Sequence, residues 1–446
     1  MTRSAPIALL LCAAALAGSS CGGSSPVAPS GSGPGSSGST VSCTTPGQCG
    51  FVRDTLQQYY YWYRELPNPD VAGFGSPEAY LDAVRYRARD SSYSYITSKA
   101  ASDAFFSESQ FIGFGLSYKR TGELELRVTQ AFPGSPAAEA GLDRGHYLVS
   151  VAGTPVEDLI TSGGLAAAFG PEQAGYSAEI AWRAPGGTVR RATLSKRAVT
   201  IPTVSQTAVI ASGSSRVGYV HFRNFVQPSV AALDTAFQQL REQGANELVL
   251  DVRYNGGGLV SVAQHLGGLI GGSPLVGQVF VQFTHNDKQS SRNTAYRFEA
   301  KPQALGVSRL VVIATPASAS ASEAMINGMR PYMDVKVVGE RTYGKPVGQY
   351  GFDFCDKVLY PVAFLVTNAR GQADFFDGIP ADCAAVDDLD RPLADAREAS
   401  LAEALNVLRT GRCSGQAAAL ELRQESFRER VRPIEQGGWR ETVNAW

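Results

Sequence analysis

The feature that most constrains this chain is the alternation of apolar strands and helices that begins at Val217. Val217-Gly-Tyr-Val-His-Phe reads as a strand, Val230 to Gln243 as a helix ended by Gly244, and Glu247-Leu-Val-Leu-Asp-Val as a buried strand. Leu259 to Ile270 then reads as a helix, Leu310-Val-Val-Ile-Ala as a strand, Ser320 to Tyr332 as a helix, and Val335-Lys-Val-Val as a strand. Repeated strand–helix–strand units imply a largely parallel sheet with right-handed crossovers. Sites in such sheets lie beyond the carboxyl ends of the strands. Three loops leave those ends: Arg253 to Gly258, Thr315 to Ser320, and Gly339 to Lys345.

The remainder of the 446 residues leaves room for two or three domains, and 44% apolar with 18% charged residues suits a soluble chain. The formal net charge is -1 and no long basic tract occurs, so nucleic acid is not an expected partner. No stretch beyond the N-terminus approaches the roughly 20 apolar residues that span a bilayer, which excludes a channel or transporter body.

Residues 1–20 have the layout of a secretory signal peptide: Arg3, an apolar run from Pro6 to Ala17, then small residues. Cys21, followed by Gly22-Gly23, resembles the lipidated first residue of a bacterial lipoprotein, with Gly18 where an aliphatic residue is usual. The Ser/Gly/Pro-rich stretch after it cannot bury a core, and 21–49 is expected to be a lipidated flexible tether. The expected location is therefore the bacterial cell envelope, lipid-anchored and facing the periplasm or exterior. In that oxidising setting Cys43, Cys49, Cys355, Cys383 and Cys413 are available for disulfides. Cys43 with Cys49 and Cys355 with Cys383 are the simplest pairs, with Cys413 left over or displacing one member. No CxxC spacing or other metal cluster is present, so neither a metal nor another cofactor is expected.

Residues 50–104 read as a small helical domain with an aromatic face of Tyr59, Tyr60, Trp62 and Tyr63, and a second helix opening at Pro77-Glu78. From Phe111 the pattern turns to short β-rich runs. Ile112-Gly113-Phe114-Gly115-Leu116, Gly134-Ser135-Pro136-Ala137, Ala140-Gly141-Leu142 and Leu148-Val149-Ser150-Val151-Ala152-Gly153 together resemble a PDZ domain over 105–197. The resemblance implies that Gly113, Phe114, Gly115 and Leu116 form a loop whose N–H groups hold a peptide's terminal carboxylate. The peptide would add as a strand, and the helix at about Pro136 to Ala140 would border its side-chain pocket.

The run Thr315 to Glu323 leads from a buried strand into a helix, so its serines lie where unpaired N–H groups and the helix dipole favour negative charge. Ser320 with Glu323 also fits a capping box. The Arg341-Thr-Tyr-Gly-Lys345 loop brings a lysine to the same edge. Asn255-Gly-Gly-Gly258 supplies backbone able to aim N–H groups at an oxyanion.

Ala319-Ser320-Ala321-Ser322-Glu323, with Gly344-Lys345 and Gln349 beyond it, resembles the carboxy-terminal processing, or tail-specific, serine peptidases of the PDZ-containing lipoprotein type. That resemblance implies an α/β crotonase-like protease domain over 198–412, with an inserted or preceding PDZ domain of α+β type and the N-terminal helical domain. It further implies Ser320 as nucleophile, Lys345 as general base, Gln349 as orienting group, and Gly257 and Ala321 as oxyanion N–H donors. Gly256 stands where the family often has Pro, and Pro346 where Gly is commoner. Ser318 and Ser322 are expected to be a turn residue and a helix cap. The implied activity is endoproteolysis of proteins or peptides with free, unstructured C-termini. A catalytically silent peptide-binding scaffold and a hydrophobic-ligand binder on the same fold are the alternatives.

None of the histidines falls in the three loops, and His221 reads as a satisfied strand residue. After Asp387 an Asp-rich turn precedes an expected helix from Ala394 to Leu408 closed by Gly411, and 413–446 reads as a tail. The sequence leaves the oligomeric state open.

Overall fold

The computed structural model describes residues 41–415. The signal segment, Cys21, the tether up to residue 40 and the tail from residue 416 lie outside the described residues. Among the described residues no helix is long and apolar enough to cross a membrane.

The central sheet runs in the order Val204–Ser212, Ser215–Phe222, Glu247–Asp251, Arg309–Ala314, Asp334–Gly339, Cys383–Ala384. Its first pair is antiparallel and the rest are parallel. Side chains alternate across a strand, so a sheet covered on both faces must be apolar on both. Leu248, Leu250, Leu310 and Val312 face a core built with the helices Ser229–Glu242, Val260–Gly271 and Ala321–Met329. Val249, Val311 and Ile313 face the other way, onto Leu401, Ala404, Val407 and Leu408 of the helix Ala399–Thr410. That last helix begins five residues later than the sequence suggests. Ala394 is in the left-handed region (φ 66°), and Glu398 is the N-cap, accepting from Leu401 N at 2.9 Å.

The first helix is Thr45–Tyr59, which begins inside the stretch expected to be tether. The segment it opens does not stand alone. Val52, Leu56, Tyr60, Tyr80 and Leu81 share one core with Val347, Phe352, Leu359 and Val362 from the C-terminal half of the chain. The strand Tyr95–Ser98 pairs antiparallel with Lys357–Tyr360. The aromatic stripe is therefore a docking face, since a short helix pair cannot bury so many rings by itself.

The disulfides differ from the expected pairing. Cys43 bonds Cys355 and Cys383 bonds Cys413, while Cys49 is a buried thiol. The Cys355–Cys383 bond is excluded because the two residues belong to different sheets. Cys355 is in the turn between Phe352–Phe354 and Lys357–Tyr360, against the N-terminal helix, whereas Cys383 is on the edge of the central sheet. Cys413 closes the C-terminal helix onto that edge, so residues 413–415 are anchored rather than part of a tail.

Between these halves sits a second β domain with strand order Leu116–Gly122, Glu125–Ala131, Tyr147–Val151, Ser177–Arg183, Arg190–Ser195. Its core holds Phe114, Leu126, Val128, Leu148, Ile180 and Trp182. Leu116–Gly122 lies at the end of that order, with one edge open.

Candidate active site

The strand Arg309–Ala314 hands over to the helix Ala321–Met329 through a tight turn. Ser318 builds the turn: its Oγ donates to Val252 O at 2.7 Å and accepts from Thr315 N at 3.0 Å. Ser322 Oγ donates to Asn255 O at 2.9 Å, so it ties the helix start to the neighbouring loop rather than capping the helix. Both hydroxyls are committed to backbone. Ser320, at the N-cap, has φ 57°, which is unfavourable for any residue with a Cβ and persists only where surrounding bonds over-determine it. Here Ala319 N donates to Asn255 O at 3.0 Å and Ser320 N to Glu323 Oε2 at 2.9 Å. The strained turn presents a partly exposed Ser320 at the end of the sheet.

Lys345 is 3% exposed, and its Nζ donates to Gln349 Oε1 at 2.6 Å. Gln349 Nε2 in turn donates to Tyr93 O at 2.8 Å and Tyr360 O at 2.6 Å. Two carbonyls thus take the amide hydrogens and leave the amide oxygen for the lysine. The loop can reach this position because Gly344 has φ 103°; a Cβ there would come 2.3 Å from Phe376 O. Pro346 precedes the strand Val347–Gln349, where its missing N–H removes no ladder bond.

The two loops meet on one carboxylate. Glu323 is fully buried and accepts from Ser320 N (2.9 Å), Lys345 N (2.8 Å), Gly344 N (2.7 Å) and Thr342 Oγ1 (2.5 Å). Since Ser320 N and Lys345 N share the same oxygen, Oε2, their backbones lie within two hydrogen-bond lengths of each other. Burial pushes the Glu323 carboxyl up, to about 7, against the pull of these donors.

Gly257 reaches the site but not in the expected role. A Cβ on it would come 2.8 Å from Ser320 Cβ and 2.9 Å from Ala321 N, so only glycine fits beside Ser320. Its N–H is taken, donating to Asn255 Oδ1 at 2.9 Å, and would serve an oxyanion only by exchanging that bond. Ala321 is the first residue of its helix, where the N–H has no intrahelical acceptor.

The histidines are engaged elsewhere. His221 is fully buried, hydrogen-bonded to Ser205 Oγ, and burial pushes it down to about 4. His265 Nε2 meets Asp234 at 2.8 Å, His285 Nε2 meets Tyr350 Oη at 2.8 Å, and His146 Nδ1 accepts from Asp143 N.

In the second β domain, Phe114 O accepts from Ala137 N and Gly115 O from Phe132 N, each at 2.9 Å. Peptide planarity then turns the N–H groups of Gly115 and Leu116 the opposite way. Gly115, at φ 81°, also needs to be glycine, because a Cβ would come 2.0 Å from Ser135 Cβ. The helix Pro136–Glu139 lies on the carbonyl side of this loop and therefore does not border a pocket on its N–H side. The side chain beside Leu116–Gly122 is Phe169, from the helix Leu165–Phe169, stacked on Tyr118 at 5.2 Å and 6.4 Å from Phe114.

This domain docks on the half of the chain that holds Ser320 and Lys345 through Asp387, whose side chain is 1% exposed. Asp387 receives Lys119 Nζ (3.0 Å), Arg144 Nη2 (2.9 Å), Arg253 Nη1 (3.0 Å) and Tyr254 Oη (2.6 Å). Burial alone would raise its pKa, but the three cations hold it well below the usual carboxylate range. Arg253 is also bonded to Asp251 and Glu398. The Asp-rich turn seen in the sequence is thus the seat of the second domain, and Tyr254 connects it to the loop that carries Gly257.

Local sequence gave no sign of Glu323 as more than a cap, nor of Asn255, Thr342, Tyr93 or Asp387 as site-builders. The Ser-x-x-Glu spacing was the one available signal for Glu323.

Comparison with known proteins follows this anatomy. Residues 216–384 match Peptidase family S41, 47–95 the Peptidase S41 N-terminal domain, and 127–165 the PDZ domain. The chain is 27% identical over 245 residues to a carboxyl-terminal-processing protease of Synechocystis, covering 55% of each protein. It is 26% identical over 233 residues to the carboxy-terminal processing protease CtpA of Bacillus subtilis, covering 52% of this chain and 47% of that one. The chain spans about half the length of the curated relatives it matches. A crystal structure assigned to the S41 proteases, from Bacteroides fragilis, shares its fold with a TM-score of 0.65 at 24% identity, over 81% of this chain and 97% of that one. With its N-terminal, PDZ and catalytic segments matched in that order, the chain belongs to peptidase family S41.

Proposed function

We propose that this chain is a serine endopeptidase that selects proteins by unstructured C-termini and cleaves them with Ser320 and Lys345. The observation that carries the reading is the convergence of a strained, partly exposed serine and a buried lysine on one carboxylate, with Gln349 aiming the amine. In the proposed reaction Ser320 Oγ attacks the peptide carbonyl while Lys345 Nζ takes its proton. The proton passes to the leaving amine as the C–N bond breaks, and water then hydrolyses the acyl-enzyme. Ala321 N–H, at a helix N-terminus, would face the developing oxyanion. Lys345 must be neutral to act, and burial removes water from an ammonium and favours the neutral amine.

On the PDZ side, the N–H groups of Gly115 and Leu116 would take the terminal carboxylate, with the peptide added along Leu116–Gly122 and a side chain against Phe169. Lipidation of Cys21 and a tether at the cell envelope complete the reading. They are tested by whether Cys21→Ala leaves the membrane fraction.

The test of the chemistry uses an unfolded protein substrate with a free or amidated C-terminus. Ser320→Ala and Lys345→Arg should abolish cleavage while the protein stays folded, the latter because a guanidinium stays protonated. Activity should rise with pH as Lys345 loses its proton, and amidation should slow cleavage. Near-native turnover in Lys345→Arg would overturn the dyad. Equal rates with both termini would overturn C-terminal selection.

A further inference from the structure

We propose that Glu323 is a positioning residue of this reaction, a buried clamp that fixes the backbone of the nucleophile to the backbone of the general base. The inference rests on the Ser320–Lys345 reading and deepens it. A helix cap needs one bond from its N3 glutamate to the N-cap N–H. Glu323 makes that bond and three more, all to the opposite loop: Lys345 N, Gly344 N and Thr342 Oγ1. A carboxylate offers about four lone-pair sites, and only the ionised form has all of them for accepting. Two donors come to each oxygen, so the four bonds fix the group in position and plane. Thr342 is itself held, its Oγ1 accepting from Ile379 N at 2.7 Å. The clamp is thereby referenced to the rest of the domain.

Protonation would loosen the clamp. Three of the four sites face backbone N–H groups that cannot accept, so a carboxylic acid proton fits only toward Thr342 Oγ1, whose own hydrogen must then turn away and whose donated bond to Glu323 is lost. The titratable groups coupled to Glu323 are the phenols of Tyr93 and Tyr343, both pushed up by burial and therefore neutral near pH 7, while Lys345 meets it through its backbone N–H. Burial places the Glu323 transition near neutrality as well. The active form then requires two losses of a proton, one from Glu323 to complete the clamp and one from Lys345 to make the base. The acid limb of the pH profile should approach a two-proton slope.

The experiment uses the full chain, with the rate of Ser320 modification by a fluorophosphonate and turnover of an unfolded protein measured from pH 5 to 9. Glu323→Gln presents an NH2 to N–H donors. It should lower kcat on the order of a hundredfold with KM little changed, as a roughly 1 Å misplacement of reacting groups does, and reduce the acid limb to one proton. Should Glu323→Gln fail to fold, Thr342→Val decides, because it deletes one donor and keeps the carboxylate. It should move the acid limb to higher pH, since the ionised form has lost a partner, and Thr342→Ser should restore the native profile. A folded Glu323→Gln with native kcat and slope, or a folded Thr342→Val with an unmoved limb, overturns the clamp. Ser320→Ala and Lys345→Ala run alongside. If both lose reaction with the probe while the clamp variants stay native, the clamp alone is wrong; if Lys345→Ala reacts normally, the dyad beneath it is wrong.

Discussion

Replacing Asp387 by Asn tests how the PDZ domain is held. In the wild type three cations, Lys119, Arg144 and Arg253, face four carboxylates, Asp387, Asp251, Glu398 and Glu340, in a site where Asp387, Asp251, Glu398 and Arg253 are almost without solvent. The substitution keeps the shape but removes the charge that bridges the domains. Arg253 retains Asp251 and Glu398, so the loss falls on Lys119 and Arg144, the two residues contributed by the PDZ side. Breaking a buried ion pair from one end costs about 3–5 kcal/mol. Arg144 keeps Tyr254 Oη at 2.8 Å and Lys119 keeps Glu340 at 3.7 Å, which argues for the lower end, about 3 kcal/mol. At about 1.4 kcal/mol per tenfold, that is on the order of a hundredfold in the docking equilibrium. Limited proteolysis and hydrogen exchange of the 127–147 segment at pH 7 should report an open form enriched by that factor.

The pH sign follows from the depressed pKa. Asp387 contributes fully above its unfolded value of about 3.9, and the contribution is lost as pH falls through its lower folded value. The difference between wild type and Asp387→Asn should therefore persist from neutrality down to about pH 4 and shrink only in stronger acid. Equal protection of the two proteins at pH 7 would refute the idea that Asp387 holds the domain.

Two further outcomes are expected. Gly257→Ala places a methyl group 2.8 Å from Ser320 Cβ at φ 100°; with about 1–3 kcal/mol of backbone strain and a displaced nucleophile, probe reaction should fall at least about tenfold, and a native rate would show that the approach is not tight. Peptide mapping without reductant should find Cys43 joined to Cys355 and Cys383 to Cys413. Separating the second pair, 30 residues apart, should cost about 3–4 kcal/mol, read from denaturation midpoints, and a Cys355–Cys383 peptide would reject the pairing.

The parallel sheet and the three loops at its carboxyl edge were legible from residue order alone, whereas the PDZ segments and the choice of Ser320, Lys345 and Gln349 came from resemblance to a family carried by short local motifs. Each depends on local pattern: apolar runs, glycine punctuation, and a serine before a helix. Their physics acts over a few residues, so the sequence contains it. What the fold alone decided is everything that depends on distant segments meeting. Cys355 could not be matched with Cys43, 312 residues away, until the hairpin carrying one docked on the helix beside the other. That Phe169, rather than Pro136–Glu139, lies beside Leu116–Gly122 could not be read until the loop carbonyls showed which side the short helix occupies. Gly257 reads as an oxyanion donor in sequence, yet its N–H follows Asn255, whose side chain is oriented by Phe222 O at 2.9 Å. Residue types and order thus determined which groups can do chemistry. Tertiary packing decided which are bonded to one another, because hydrogen bonds and ion pairs depend on ångström-scale approach between chain segments that sequence spacing does not encode.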